Sequence, residues 1–224
     1  MQRGWFRTVP GALRAAACGA LLSLSSLAPA HAQVSEWKQV HSERAYDLKV
    51  FSRERPGSAV RELRATALLD VPAPQVLSFL ADTAGQPGNL PPLESAQLLR
   101  RDGDEELYHM TVYLRWVSRR DYCVRIAVRR AEAGRGEVTW TQDDAGCPAP
   151  SRGIVRMRHN TGTWHVEEVT LPDGNRGARI VYQALTDPGG AVPAWIVNRA
   201  SPGSLVHTFT AIRRAASQPR YASR

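Results

Sequence analysis

The last long apolar run, residues 187–214, constrains the fold more than any other stretch of this chain. It reads DPGGAVPAWIVNRASPGSLVHTFTAIRR. Asp187, Pro188, Gly189 and Gly190 form a turn that must stop whatever strand precedes it, and Pro193 stands where a first helical turn tolerates a missing N–H. Val192, Trp195, Ile196, Leu205, Val206, Phe209 and Ile212 then recur at helical spacing and predict one broad apolar stripe. Such a stripe has to cover something. Upstream the chain offers mainly short alternating segments, so the covered object is predicted to be the concave face of an antiparallel sheet.

In order, residues 35–46 predict a short helix with Trp37, Val40 and His41 on its buried side. Strands are predicted over 47–53 and 60–69, joined by the turn Arg55-Pro56-Gly57-Ser58, with Leu63, Ala65, Ala67 and Leu69 alternating as one face. A helix over 72–83 follows, its apolar side Val76, Leu77, Phe79 and Leu80; the Gly- and Pro-rich stretch 85–92 reads as loop. From there strands are predicted over 96–101, 107–114, 121–130, 137–144, 154–159, 164–169 and 178–185, with Asp102-Gly103-Asp104 and Asp173-Gly174-Asn175 as hairpin turns. The pattern defines an α+β class: one domain over 33–217, a curved antiparallel sheet of about seven to nine strands wrapped around a long C-terminal helix. Residues 218–224 read as a flexible tail.

The leading segment differs in kind. Arg3 and Arg7 precede an Ala/Leu/Ser run, and Ala30-His31-Ala32 offers a small-x-small cleavage site, so residues 1–32 read as a signal peptide cleaved after Ala32. Arg14, Gly19 and several serines interrupt the run too often for a membrane span. The mature chain is then expected to be periplasmic or secreted, where disulfides persist. Cys123 and Cys147 flank a predicted hairpin, and either a bridge or two inert thiols fits that placement. The formal net charge of +8 comes almost wholly from arginine, with Lys38 and Lys49 the only lysines. That balance suits a graze against anionic headgroups. No Lys/Arg block interleaved with aromatics points to nucleic acid.

The element order and several residues resemble the START (StAR-related lipid transfer) family, a helix-grip fold in the wider Bet v 1-like group. Ser118-Arg119-Arg120-Asp121-Tyr122 is similar to that family's Arg-Asp-aromatic opening of a central strand. Gly153-Ile154-Val155-Arg156, Gly162-Thr163-Trp164, and Asp187-Pro188-Gly189-Gly190 with Pro193, Trp195 and Asn198 are similar to its later landmarks. The resemblance spans about residues 37–215. It implies an internal cavity for a lipid or sterol-like molecule, closed by the C-terminal helix, in a non-enzymatic monomer that touches membranes transiently. The family's tryptophan-containing segment after the second helix is absent, and 85–92 stands in its place. Arg120, Asp121, Arg156, Trp164, Gly190, Pro193 and Asn198 take structural roles under this resemblance, with Arg120 and Asp121 expected to form a local ion pair.

Cavity candidates are His109, Thr111 and Tyr113, which share one strand face, Ile126, His159 (on the resemblance), and the helix residues Trp195, Leu205, Phe209 and Ile212. No G-x-S-x-G or S-x-x-K pattern supports a hydrolase. His165 and Glu167 share a strand face without a third ligand, so no metal site is predicted, and no Gly-rich phosphate loop suggests a cofactor. The competing reading is an aromatase/cyclase-type enzyme on the same scaffold, with His109, Tyr113 or His159 as acid or base.

Overall fold

A computed structural model describes residues 34–113, 117–132 and 134–222. The predicted leader, residues 1–32, and its cleavage point lie outside the described residues. Among the described residues there are ten strands: β1 (Lys38–Glu43), β2 (Leu48–Arg53), β3 (Glu62–Leu69), β4 (Leu93–Asp102), β5 (Glu105–Val112), β6 (Arg120–Arg130), β7 (Gly136–Gln142), β8 (Val155–Arg156), β9 (His159–Thr170) and β10 (Arg176–Asp187). Helix α1 (Ala73–Ala81) follows β3, α2 (Ala194–Ala216) follows β10, and the short α3 (Pro219–Ala222) ends the described chain.

The strands form one sheet in the order β1-β2-β3-β10-β9-β7-β6-β5-β4, antiparallel at every step, with β8 alone paired parallel to β6. The alternation read from β3 holds: Ala65, Ala67 and Leu69 are buried against the interior. Both helices pack on that same side, where α1 and α2 meet each other and Phe209 of α2 sets its ring edge-on to Trp164 of β9 at 6.1 Å. This is the expected helix-grip architecture.

Three expectations fail, each for a physical reason. The helix predicted over 35–46 is instead strand β1, with Val40 exposed. A helix that short is marginal on its own, whereas the free edge of β2 offers a row of unpaired N–H and C=O groups that this segment completes. The strand predicted over 154–159 splits into the two-residue β8 and the start of β9, which runs on to Thr170. Lastly, 218–224 is no free tail as far as it is described. Pro219–Ala222 is helical, Tyr221 is buried with its hydroxyl donating to Asp82 Oδ2 at 2.8 Å, and its ring meets Phe79 edge-on at 5.6 Å.

Cys123 and Cys147 are disulfide-bonded across a sequence separation of 24, with their Cα atoms 5.6 Å apart. The bridge ties the outer face of β6 to the segment that follows β7. Closing a loop of that length stabilises a fold by about 3 kcal/mol in the chain-entropy account. Reduction is therefore expected to lower Tm by roughly 6–12 °C, and intact-mass measurement of the alkylated and native protein reports which form is melting.

Candidate ligand cavity

Between the sheet's inner face and α2 lies a cavity of about 330 Å³. Its walls follow from strand parity. On β6 Tyr122, Val124 and Ile126 point inward; on β5 Met110 and Val112; on β7 Val138 and Trp140; on β9 Asn160 and Trp164; and on β10 Tyr182, Ala184 and Thr186. The loop 85–92, which replaces the tryptophan-containing segment of the resembled family, supplies a wall through Gln86, Leu90, Pro91 and Pro92. The roof is α2. Val197, Asn198, Ser201, Ser204, Leu205 and Thr208 recur along one face, so the helix presents hydroxyl and amide groups beside its two apolar contacts.

One local detail opens the space. Gly162 lies directly under the Trp140 ring, and a Cβ there would sit 2.3 Å from Trp140 Cζ2 and 2.5 Å from the Gln183 carbonyl oxygen. Only glycine lets the indole lie flat on β9, from where it joins Tyr182 in a stacked pair with ring centroids 6.0 Å apart.

Of the residues proposed for the cavity, Ile126 and Leu205 line it. Phe209 and Ile212 are fully buried in the core and do not line the space. His109, Thr111 and Tyr113 do not line it, because inward parity on β5 belongs to Met110 and Val112. His109 faces outward onto Asp121, and Tyr113 is 48% exposed. His159 is likewise one residue out of phase: its Nε2 lies 2.9 Å from Thr161 Oγ1 on the outer side, and its neighbour Asn160 faces the cavity instead. Trp195 is 68% exposed. It shares a helix face with the buried Pro202, Phe209 and Ala216, yet no part of the described fold covers it in the first turn of α2.

The motif residues also divide. Arg120 and Asp121 do not pair. Asp121, 1% exposed, takes a bidentate pair from Arg156, Nε to Oδ1 at 2.9 Å and Nη2 to Oδ2 at 3.0 Å, with His109 Nε2 also 3.0 Å from Oδ2. Burial pushes the Asp121 carboxyl up, but the hydrogen bonds and charge of Arg156 and His109 outweigh it and hold the group below its ordinary range. Arg120 instead donates to the carbonyls of Ser118 and Pro188 and lies beside Gly190, where a side chain would meet Val155 Cγ1 at 3.2 Å. It thereby fixes the junction between β10 and α2. Pro193 caps that helix, and Asn198 latches it to the turn before β3, its Oδ1 accepting from the Arg61 amide at 2.8 Å and its Nδ2 donating to the Ala59 carbonyl at 3.2 Å. Trp164 is the hub of the aromatic cluster with Trp140, Tyr182 and Phe209.

Asn160, Tyr182 and Thr186 were not among the candidates. The signal for Asn160 was present: it shares parity with Trp164 and Val166, the apolar positions that fix which face of β9 is inner. Among the described residues no group of three or more His, Cys, Asp or Glu is placed to hold a metal ion.

A nine-stranded antiparallel path gripping a terminal helix above an apolar cavity defines a helix-grip domain. No family model matches the chain. It is similar at 26% identity to the crystal structure of a STAR-related lipid transfer protein fragment from Xanthomonas axonopodis, over 81% of this chain and 99% of that one, with a TM-score of 0.68. It is similar in fold to human STARD10, 16% identical over 82% of this chain and 74% of that one, with a TM-score of 0.69. In sequence it is 21% identical over 189 residues to an uncharacterized protein of Pseudomonas aeruginosa, covering 84% of this chain and 90% of that protein. In fold, then, the chain is similar to the START lipid-transfer domains.

Proposed function

We propose that this protein is a periplasmic or secreted carrier that holds one lipid or sterol-like molecule in the cavity under α2 and transfers or presents it at a membrane, acting as a monomer. The observation that carries the reading is the cavity itself: about 330 Å³, walled by apolar side chains, with Arg61 at its rim as the one charged lining residue among those described. That volume is in the range of small-molecule sites. The need for such a chamber follows from magnitudes, since exposing a sixteen-carbon chain to water costs roughly 13 kcal/mol. The disulfide supports an oxidising compartment, and the likeness to the STAR-related lipid transfer protein of Xanthomonas axonopodis supports the class of ligand.

Release requires the roof to loosen. Trp195 and Ile196, 68% and 40% exposed, stand in the first turn of α2 with Arg199 close by, an arrangement suited to insertion among anionic headgroups. Pro202 lies inside α2 and removes the amide that would bond the Asn198 carbonyl, which makes a natural bending point next to the Asn198 latch. Amide exchange over residues 194–208 is expected to slow when lipid is bound. Equal protection with and without lipid would count against the gating.

The enzymatic alternative loses its named residues, because His109, Tyr113 and His159 all lie outside the cavity. Extracting the purified protein with organic solvent and identifying the released compounds by mass spectrometry tests the carrier reading. A hydrophobic compound recovered in proportion to protein supports it, and a turned-over product in place of a retained ligand would favour catalysis.

A further inference from the structure

Besides the hydroxyl and amide groups of α2, the cavity wall carries a polar cluster around Asn160, and its hydrogen bonding is directional. Trp140 Nε1 lies 3.1 Å and Thr186 Oγ1 3.2 Å from Asn160 Oδ1. An indole N–H only donates, so the atom facing it must be the amide oxygen, and this fixes which way round Asn160 sits. With two donors on it, that oxygen is filled. The amide nitrogen is left on the side of Tyr122, which lines the same part of the cavity wall. Thr186 donates to Asn160, and the Asn160 amide can in turn donate to the Tyr122 oxygen. The chain of donors therefore ends on the Tyr122 hydroxyl hydrogen and the second amide hydrogen of Asn160. Both residues are 8% exposed and line the cavity, and no acceptor among the described residues receives either hydrogen. Burial pushes the Tyr122 phenol well above its ordinary value, so it stays a neutral donor throughout the physiological range.

We infer that the cavity selects an uncharged lipid carrying an acceptor oxygen, a ketone, ester or hydroxyl, seated against Tyr122 and Asn160, and rejects carboxylate and phosphate lipids. This rests on the carrier reading above and narrows its ligand class. Two donors without protein partners in a largely apolar pocket favour a ligand that brings an acceptor. An anion would find those two hydrogens but no cation, since Arg61 lies at the rim and pairs with Glu54 at 3.6 Å.

Competition against the fluorescent probe N-phenyl-1-naphthylamine tests this with three twelve-carbon chains: dodecan-2-one, dodecane and dodecanoate at pH 8. The ketone is expected to displace the probe about fivefold better than dodecane, the worth of one net hydrogen bond, and at least about tenfold better than the unpaired carboxylate. Tyr122→Phe is expected to bring the ketone down to the alkane, with dodecane measured on the same variant as the reference. Dodecanoate competing within twofold of the ketone, or a ketone no better than dodecane, overturns the selectivity and leaves the carrier reading standing. Failure of the wild-type protein to bind the probe or any of the three chains overturns both.

Discussion

Asp121→Asn is expected to cost about 3 kcal/mol of folding stability, which lowers Tm by roughly 6–12 °C in a domain of this size. The carboxylate is 1% exposed and is held by both arms of the Arg156 fork and by His109. The amide keeps the shape and loses the charge. One of its two heads becomes an N–H₂ facing a guanidinium N–H, and Arg156 is left half-buried without its counter-ion. Breaking a buried pair from one side is the costly case, because the surviving charge keeps its desolvation penalty. The same pair sets an acid limit. Since the folded carboxyl titrates below its ordinary value of 3.8, its contribution is complete above that value and is lost as pH falls through it towards the depressed one. Wild-type Tm should thus fall as pH drops below about 4, with a shallower fall in Asp121→Asn. A variant melting within about 2 °C of wild type at pH 7 would mean that the clamp contributes little. Its place gives the clamp a functional reach: it and the disulfide brace the outer face of β6, whose inner face supplies Tyr122, Val124 and Ile126 to the cavity wall.

Ile126→Trp should abolish ligand binding, by at least about 30-fold, while leaving the melting temperature within a few degrees of wild type. In a solid interior, adding this much side chain forces strain of about 1–3 kcal/mol or more. Here Ile126 borders about 330 Å³ of open space, directly across from Trp140 on β7, and an indole at 126 projects into that space. The two readouts separate the alternatives. A filled core gives a destabilised protein whatever happens to binding; a ligand chamber gives a stable protein that has lost its guest.

The architecture was legible because strand parity, turn chemistry and a long helical stripe all agree in this chain. Leu63 to Leu69, the Asp-Gly turns and the Phe209–Ile212 stretch each read correctly by themselves. The site was less legible, and β5 and β6 show why. On a sheet with one wet face the apolar positions mark the inside, but here Leu107, Asp121 and Cys123 on the outer face are also buried, beneath the segment carrying Cys147 and β8. With both faces covered, His109 and Thr111 looked as eligible for the cavity as Met110 and Val112. Trp195 was misplaced for a different reason. Periodicity assigns it to the right face of α2, and nothing local says whether the fold covers that face in the first turn. Likewise β1 and α3 exist through long-range partners, the edge of β2 and the Phe79–Asp82 surface, that propensity over a few residues does not contain.

Native mass spectrometry of the intact protein, before and after addition of a saturating neutral lipid, tests the central claim most directly. The cavity under α2 predicts a single adduct of one hydrophobic molecule per chain, present in wild type and missing in Ile126→Trp. A wild-type spectrum that stays at the mass of the bare chain under lipid saturation, or adducts of equal abundance in both proteins, would contradict it.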